Sequence, residues 1–314
     1  MLRMPFFMQT PGVLNCLTKY ADRVDPNPAA VVDGLKGRLD ALVDRFRDSQ
    51  TGLVDYQGLR ETDDFLSFEV ATSELQSVRL GSMSDSLKKA FCINLYNLAI
   101  SHAFCKVGIP TDKENRGPFF TGVGYQLGEG FFSFDHIENG VLRANRNGIL
   151  GGAGGAAEDP RRDVIFPDDK VDCRIHFALN CGAASCPPIK RFTAASIDEE
   201  LDCVARAYCE DPSNVQVDAD AGVCRLNMIF NWYGKDFGST DREKVAKVME
   251  WCDGEKKESI ERLLNDNERG CKVEYLPYDW GSDSASPVRR FDISNVFKDG
   301  DEYNYDAANP ALIK

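Results

Sequence analysis

The sequence predicts an α+β protein, a mostly helical single domain packed on a small β-sheet. Three observations carry that expectation. Apolar residues recur at helical spacing along much of the chain, strand-like segments are few and short, and no internal repeat or long linker divides the chain. With 314 residues, 43% of them hydrophobic and 28% charged, the composition is that of a globular chain with a sizeable core.

Residues 1–30 hold prolines and little periodicity and read as a lead-in. Leu35, Leu39, Leu42, Val43 and Phe46 then mark an amphipathic helix, and a second helix covers about residues 62–79. A third runs from Asp85 to Lys106 and stops before Gly108-Ile109-Pro110. Its stripe of Leu87, Phe91, Leu95, Leu98 and His102 is widened by Cys92, Tyr96 and Ala99, so burial on most sides is expected. Residues 111–134, rich in Gly and Phe, read as short strands or loops, and Ser133 is placed to cap a helix starting near Asp135. Gly148 to Ala157 reads as a glycine-rich surface insertion. Val171 to Leu179 reads as a strand, with Ile175, Phe177 and Leu179 on one face and His176, Ala178 and Asn180 on the other. Capping boxes at Ser196–Glu199 and Thr240–Glu243 start helices reaching about Tyr208 and Cys252. Gly222–Leu226 and Arg269–Tyr275 read as strands, Asn227–Tyr233 starts a helix, and a last helix covers about 255–265.

The net charge of −13 repels phosphate backbones and anionic membrane surfaces, so nucleic acid is excluded as a partner, and a protein or peptide is the partner class that remains. No stretch approaches the roughly 20 apolar residues of a membrane span. The apolar run at the N-terminus is short and broken by proline, so a cytoplasmic location is expected. Eleven cysteines, an odd number in a long chain, read as reduced thiols without structural disulfides.

Four separated blocks then resemble a known family. They are Ala90–Asn97 (AFCINLYN), Phe134–Arg143 (FDHIENGVLR), Arg174–Pro188 (RIHFALNCGAASCPP), and Trp232-Tyr233 with Tyr278-Asp279-Trp280. Together they resemble domain of unknown function 547, directly over about residues 75–210 and in weaker echoes to about 280. The resemblance implies relatives fused to glutaredoxin-like and DEP-like domains, or set beside a leucine-zipper segment in plants; this chain shows neither a Cys-Pro-Tyr-Cys motif nor heptads. Relatives usually carry tryptophan where this chain has Cys92, which makes Cys92 a packing residue. The expected organisation is a helical extension over 1–74, the family domain with its C-terminal helices over 75–280, and a polar tail over 281–314.

His176, Cys181 and Cys186 concentrate the reactive side chains. A cysteine becomes a nucleophile when its thiolate is stabilised by an imidazolium or a helix N-terminus, and Cys186 precedes Pro187-Pro188, residues suited to a first helical turn. Cys186 is then the nucleophile, His176 the base, and Asn180 or Asn94 a polarising group, the site of a cysteine-dependent hydrolase or acyl transferase. The likeness to papain-like enzymes is distant, because those place cysteine on the early helix and histidine later. The same residues permit three other readings: zinc ligation, a Cys181–Cys186 redox pair, and a purely structural network in a non-catalytic interaction module. No cofactor motif is legible. Asn94, Asn97 and Ser101 share the buried helix and need partners, for which loop backbone is expected. Asp135 with Glu138 can form an acid/base pair, or Glu138 an ion pair with Arg143 or Arg174; His102 reads as a core histidine and His136 as exposed.

Overall fold

The computed structural model describes residues 12–18, 27–150, 159–266 and 270–296. Most of the glycine-rich stretch and the end of the polar tail lie outside them.

The first half is helical. α1 (Pro28–Arg45) starts with proline at its first position and with Asn27 accepting the Ala29 amide at 3.1 Å. It buries Val32, Leu35, Leu39 and Val43 against α4. α2 (Tyr56–Arg60) and α3 (Asp63–Ala71) follow, and a 3₁₀ segment over Thr72–Ser77 completes the expected second helix. α4 (Asp85–Lys106) has the limits read from sequence, with Ser84 as its N-cap. From Ala90 to Lys106 every residue except Ser101 is buried, which makes α4 the axis of the molecule.

Residues 113–122 depart from the expected loop. They form α5 (Lys113–Gly122), capped by Asp112, although Pro118 in its interior has no N–H to give to the turn before it. β1 (Gly124–Leu127) and β2 (Gly130–Ser133) form an antiparallel hairpin that pairs Tyr125 with Phe132. Ser133 then caps a π-helical segment, His136–Leu142, by accepting the His136 amide. His136 accepts the Ser133 amide in return and is half-buried, where exposure was expected.

The second half adds α6 (Ile197–Glu210), β3 (Val215–Asp218), β4 (Val223–Leu226), α7 (Ile229–Trp232), α8 (Gly234–Phe237), α9 (Asp241–Met249), α10 (Gly254–Asn265) and β5 (Lys272–Tyr275). Its three-stranded sheet runs β3-β4-β5, antiparallel then parallel. The capping box at Thr240 forms as read. The one at Ser196 does not: Glu200 reaches back to the amide and hydroxyl of Thr193 instead.

One contiguous core runs from Leu14 to Val273 through both halves, so the architecture is α+β with small sheets. Residues 284–292 pack onto it: Arg289 accepts the Ile109 amide, Asp292 donates to Val107, and Ser284 pairs with Val54. Gly108 makes this possible, since its φ is +88° and a Cβ there would lie 2.5 Å from the Arg290 carbonyl oxygen. No helix among the described residues is long and apolar enough to cross a membrane.

Candidate functional site

The expected strand over 171–179 is instead a 3₁₀ turn, Cys173–Phe177. Asp172 accepts both the backbone amide of Arg174 at 3.1 Å and that residue's guanidinium, so a side chain starts the turn where a strand partner is lacking. Ile175, Phe177 and Leu179 are buried, but so are His176 and Ala178, and the two-faced alternation is lost.

From there the chain makes a tight loop held by α4. Asn97 donates to the Ala178 carbonyl at 2.9 Å and accepts the Asn180 amide at 2.9 Å. Asn94 donates to the Phe192 carbonyl at 2.7 Å and accepts the Phe192 amide at 3.0 Å. One helix thus clamps the loop where it begins and where it returns; both amides bond backbone, Asn97 beside Cys181 and Asn94 at Phe192, away from the Cys181 and Arg174 backbone expected for it. Asn94 is bonded to Phe192 and is not among the residues that line the Cys/His cleft. Asn180 works inside the loop, donating to the Pro187 carbonyl at 2.7 Å and accepting the Gly182 amide. At Gly182, φ is +85° and a Cβ would sit 2.2 Å from the Phe104 ring, so only glycine fits this turn.

The loop brings Cys186 back to Cys181, with the sulfurs 2.9 Å apart and both thiols free. The residues after Cys186 form no helix until Ile197, so the helix-terminus argument for a thiolate fails. Other donors replace it. The Cys181 amide reaches the Cys186 sulfur at 3.1 Å, and the Tyr278 hydroxyl reaches it at 3.2 Å. The Cys181 hydrogen bond, then Tyr278 and nearby backbone, overcome burial and pull the Cys186 thiol down to about 7. The same contact pushes Cys181 up and keeps it protonated. Tyr278 follows β5 and is carried over the sulfurs because residues 279–281 dock on the loop: Asp279 donates its amide to the Ser185 hydroxyl at 2.8 Å, and Ala184 donates to the Gly281 carbonyl.

His176 borders the same cleft but faces carboxylates. Nε2 lies 2.8 Å from Asp236 Oδ2, Nδ1 lies 4.0 Å from Glu138 Oε1, and the ring stacks on Tyr233 at 3.9 Å. Asp236 also accepts Arg143 Nε at 2.6 Å and a bond from Arg146. Burial pushes His176 below its ordinary value against the pull of Asp236, while His176 and Arg143 hold Asp236 low despite its own burial. Nε2–H therefore donates to a charged carboxylate, an assignment made from the hydrogen-bond pattern. Among the described residues no hydrogen bond joins His176 to either sulfur. Neither expected Glu138 ion pair forms, since Arg143 goes to Asp236 and Arg174 to Asp172, Asp198 and Asp202. Asp135 is engaged by Asn139.

The cleft has a volume of about 370 Å³. His176, Cys181, Cys186, Glu138 and Tyr278 line it, together with a cluster of aromatic rings. Among the described residues no three His, Cys, Asp or Glu side chains group as a metal site, so the zinc reading has no geometric support. Sequence reasoning missed Tyr278 and Asp236 as contributors. Tyr278 stood within a recognised block, while nothing local marked Asp236.

Residues 80–209 match the family described as Protein of unknown function, DUF547. The match runs through α4, the Cys/His loop and most of α6, while Tyr278 and Asp236 come from beyond it. No curated protein and no solved structure matches the chain.

Proposed function

Residues 80–209 belong to the DUF547 family, and we propose that the chain uses its cleft for thiol–disulfide exchange, with Cys186 attacking and Cys181 resolving. The observation that carries this reading is the pair of free sulfurs 2.9 Å apart, one of them also receiving an amide and a phenol donor. A thiolate beside a protonated thiol is the asymmetry that exchange needs.

In the first step the Cys186 thiolate attacks one sulfur of a substrate disulfide. A mixed disulfide forms, and the second substrate half leaves as a thiolate. Cys181 then gives its proton to that departing thiolate and attacks the Cys186 sulfur. The Cys181–Cys186 disulfide forms and the first half leaves. The substrate is reduced by two electrons and the protein dithiol is oxidised by two; a small thiol in excess restores the dithiol.

The test uses a small disulfide and mass mapping. Cys181→Ser should accumulate a stable mixed disulfide on Cys186, while the unaltered protein expels it and forms the Cys181–Cys186 bridge. Equal retention of the mixed disulfide by both proteins would refute the exchange reading.

A second reading has a specific observation in its favour. His176 lines the same cleft as Cys186 and is oriented by Asp236 at 2.8 Å, an arrangement suited to a cysteine hydrolase or acyl transferase. That reading requires His176 to act on the sulfur, and it predicts that Cys181→Ser keeps its activity while His176→Ala loses it.

A further inference from the structure

We propose that the cleft selects a cationic substrate, a disulfide or thiol carrying an alkylammonium group; this rests on the thiol-exchange reading. The first observation is the shape of one wall. Trp232, Tyr278 and Trp280 stand against one another, with ring centroids 4.8 Å apart for Trp232–Tyr278, 4.9 Å for Tyr278–Trp280 and 5.4 Å for Trp232–Trp280. The planes are inclined to one another by 66°, 55° and 39°, so the rings meet at an angle rather than in a stack, an aromatic corner that lines the cleft. Such a corner attracts a cation through the negative faces of its rings. Trp280 already holds one cation in this way: the Arg116 guanidinium lies 4.1 Å from its centroid, beside a separate small cavity.

The second observation is charge. Asp135 and Glu138 both line the cleft, and among the described residues no lysine or arginine does. Glu138 is only 8% exposed. Among the described residues its carboxylate meets the Tyr233 hydroxyl and His176 Nδ1, the latter 4.0 Å away, and feels the charge of Arg143, which is itself paired with Asp236. A buried carboxylate on an aromatic-walled cleft gains most from a ligand cation, which it attracts in a partly desolvated setting. Tyr278 joins the two functions, since its ring belongs to the corner and its hydroxyl donates to Cys186 at 3.2 Å. An ammonium seated on the corner therefore holds a tethered sulfur near the Cys186 thiolate.

The experiment measures how fast Cys186 is modified by three methanethiosulfonates that differ in charge: the trimethylammonioethyl, the methyl and the sulfonatoethyl reagents. In each case the thiolate takes the reagent's thiol sulfur and methanesulfinate leaves, and each rate is divided by that of the same reagent with a small free thiol, so the reagents' own reactivity cancels. Cys181→Ser protein is used because it retains the label. A salt concentration of about 1 M, with a screening length of roughly 3 Å, removes steering by the net charge of −13. The cationic reagent should react about tenfold faster than the methyl reagent, and the anionic one slower still. Glu138→Gln and, separately, Trp232→Ala at the exposed rim should each bring the three rates close together. Fast methyl labelling with no charge preference would overturn the cationic-substrate inference and leave the thiol reading standing. Slow labelling of Cys186 by all three, in the unaltered protein as well as in Cys181→Ser, would overturn the thiol reading itself.

Discussion

The protein buries two histidines beside carboxylates and aromatic rings, and the two sites differ in what lies beyond the ring. His102 is sealed inside the core. Nδ1 meets the Tyr125 hydroxyl at 2.9 Å, Nε2 faces Glu69 at 3.5 Å, and Phe65 and Phe68 pack edge-on against it. Lys106 pairs with the same Glu69 and, with His102, holds it down to about 2 although burial pulls the other way. His176 has an equally tight partner in Asp236, but its other side opens on the cleft that also holds Cys186. Burial and pairing alone therefore say little about function. What distinguishes the second site is an open volume of about 370 Å³ and a sulfur supplied with donors.

The two histidines differ most in what their loss costs in stability. His102→Ala should cost about 3 kcal/mol, because it opens a cavity and strips buried Tyr125 and Glu69 of a partner. Chemical denaturation measures this, and Cys186 reactivity should be unchanged. His176→Ala should cost less, since Asp236 keeps Arg143 and Arg146. It should leave Cys186 alkylation within about threefold, whereas a base acting on that sulfur would be worth about a hundredfold or more. A large drop in alkylation would transfer the account to the cysteine hydrolase reading.

A smaller effect sharpens the role of α4. Asn97→Ala strands the Ala178 carbonyl and the Asn180 amide and should cost about 1–3 kcal/mol. It should also loosen the start of the Cys181 loop, seen as faster amide exchange at Asn180. Wild-type exchange there would mean that the clamp is not what holds the loop.

What the sequence disclosed follows from how local each feature is. The limits of α4 were legible because Ser84 caps it and Gly108-Ile109-Pro110 ends it. The backbone partners of Asn94 and Asn97 were legible in kind, because buried amides must be satisfied. The strand assignment at 171–179 failed because alternating apolar residues also fit a buried 3₁₀ turn, and the deciding element was the Asp172 side chain. α5 was hidden by Pro118. Pairing of Cys181 with Cys186 was within reach, since the two are 5 positions apart. Tyr278 lies 92 positions from Cys186, and Asp236 lies 60 from His176. Periodicity carries no information over such separations, and the fold alone brings these groups together.

The most direct test of the central claim is the pH dependence of Cys186 alkylation by iodoacetamide, mapped by mass spectrometry beside sealed Cys105. The thiolate is the reacting species, so the rate should rise with pH to a plateau, with a midpoint of about 7 for Cys186. Cys105, whose thiol burial pushes far upward, should stay inert across the range. Tyr278→Phe, which removes one donor, should move the Cys186 midpoint upward. Slow labelling of both cysteines, or a Cys186 midpoint at the ordinary thiol value of about 8.5 that Tyr278→Phe leaves in place, would contradict the account.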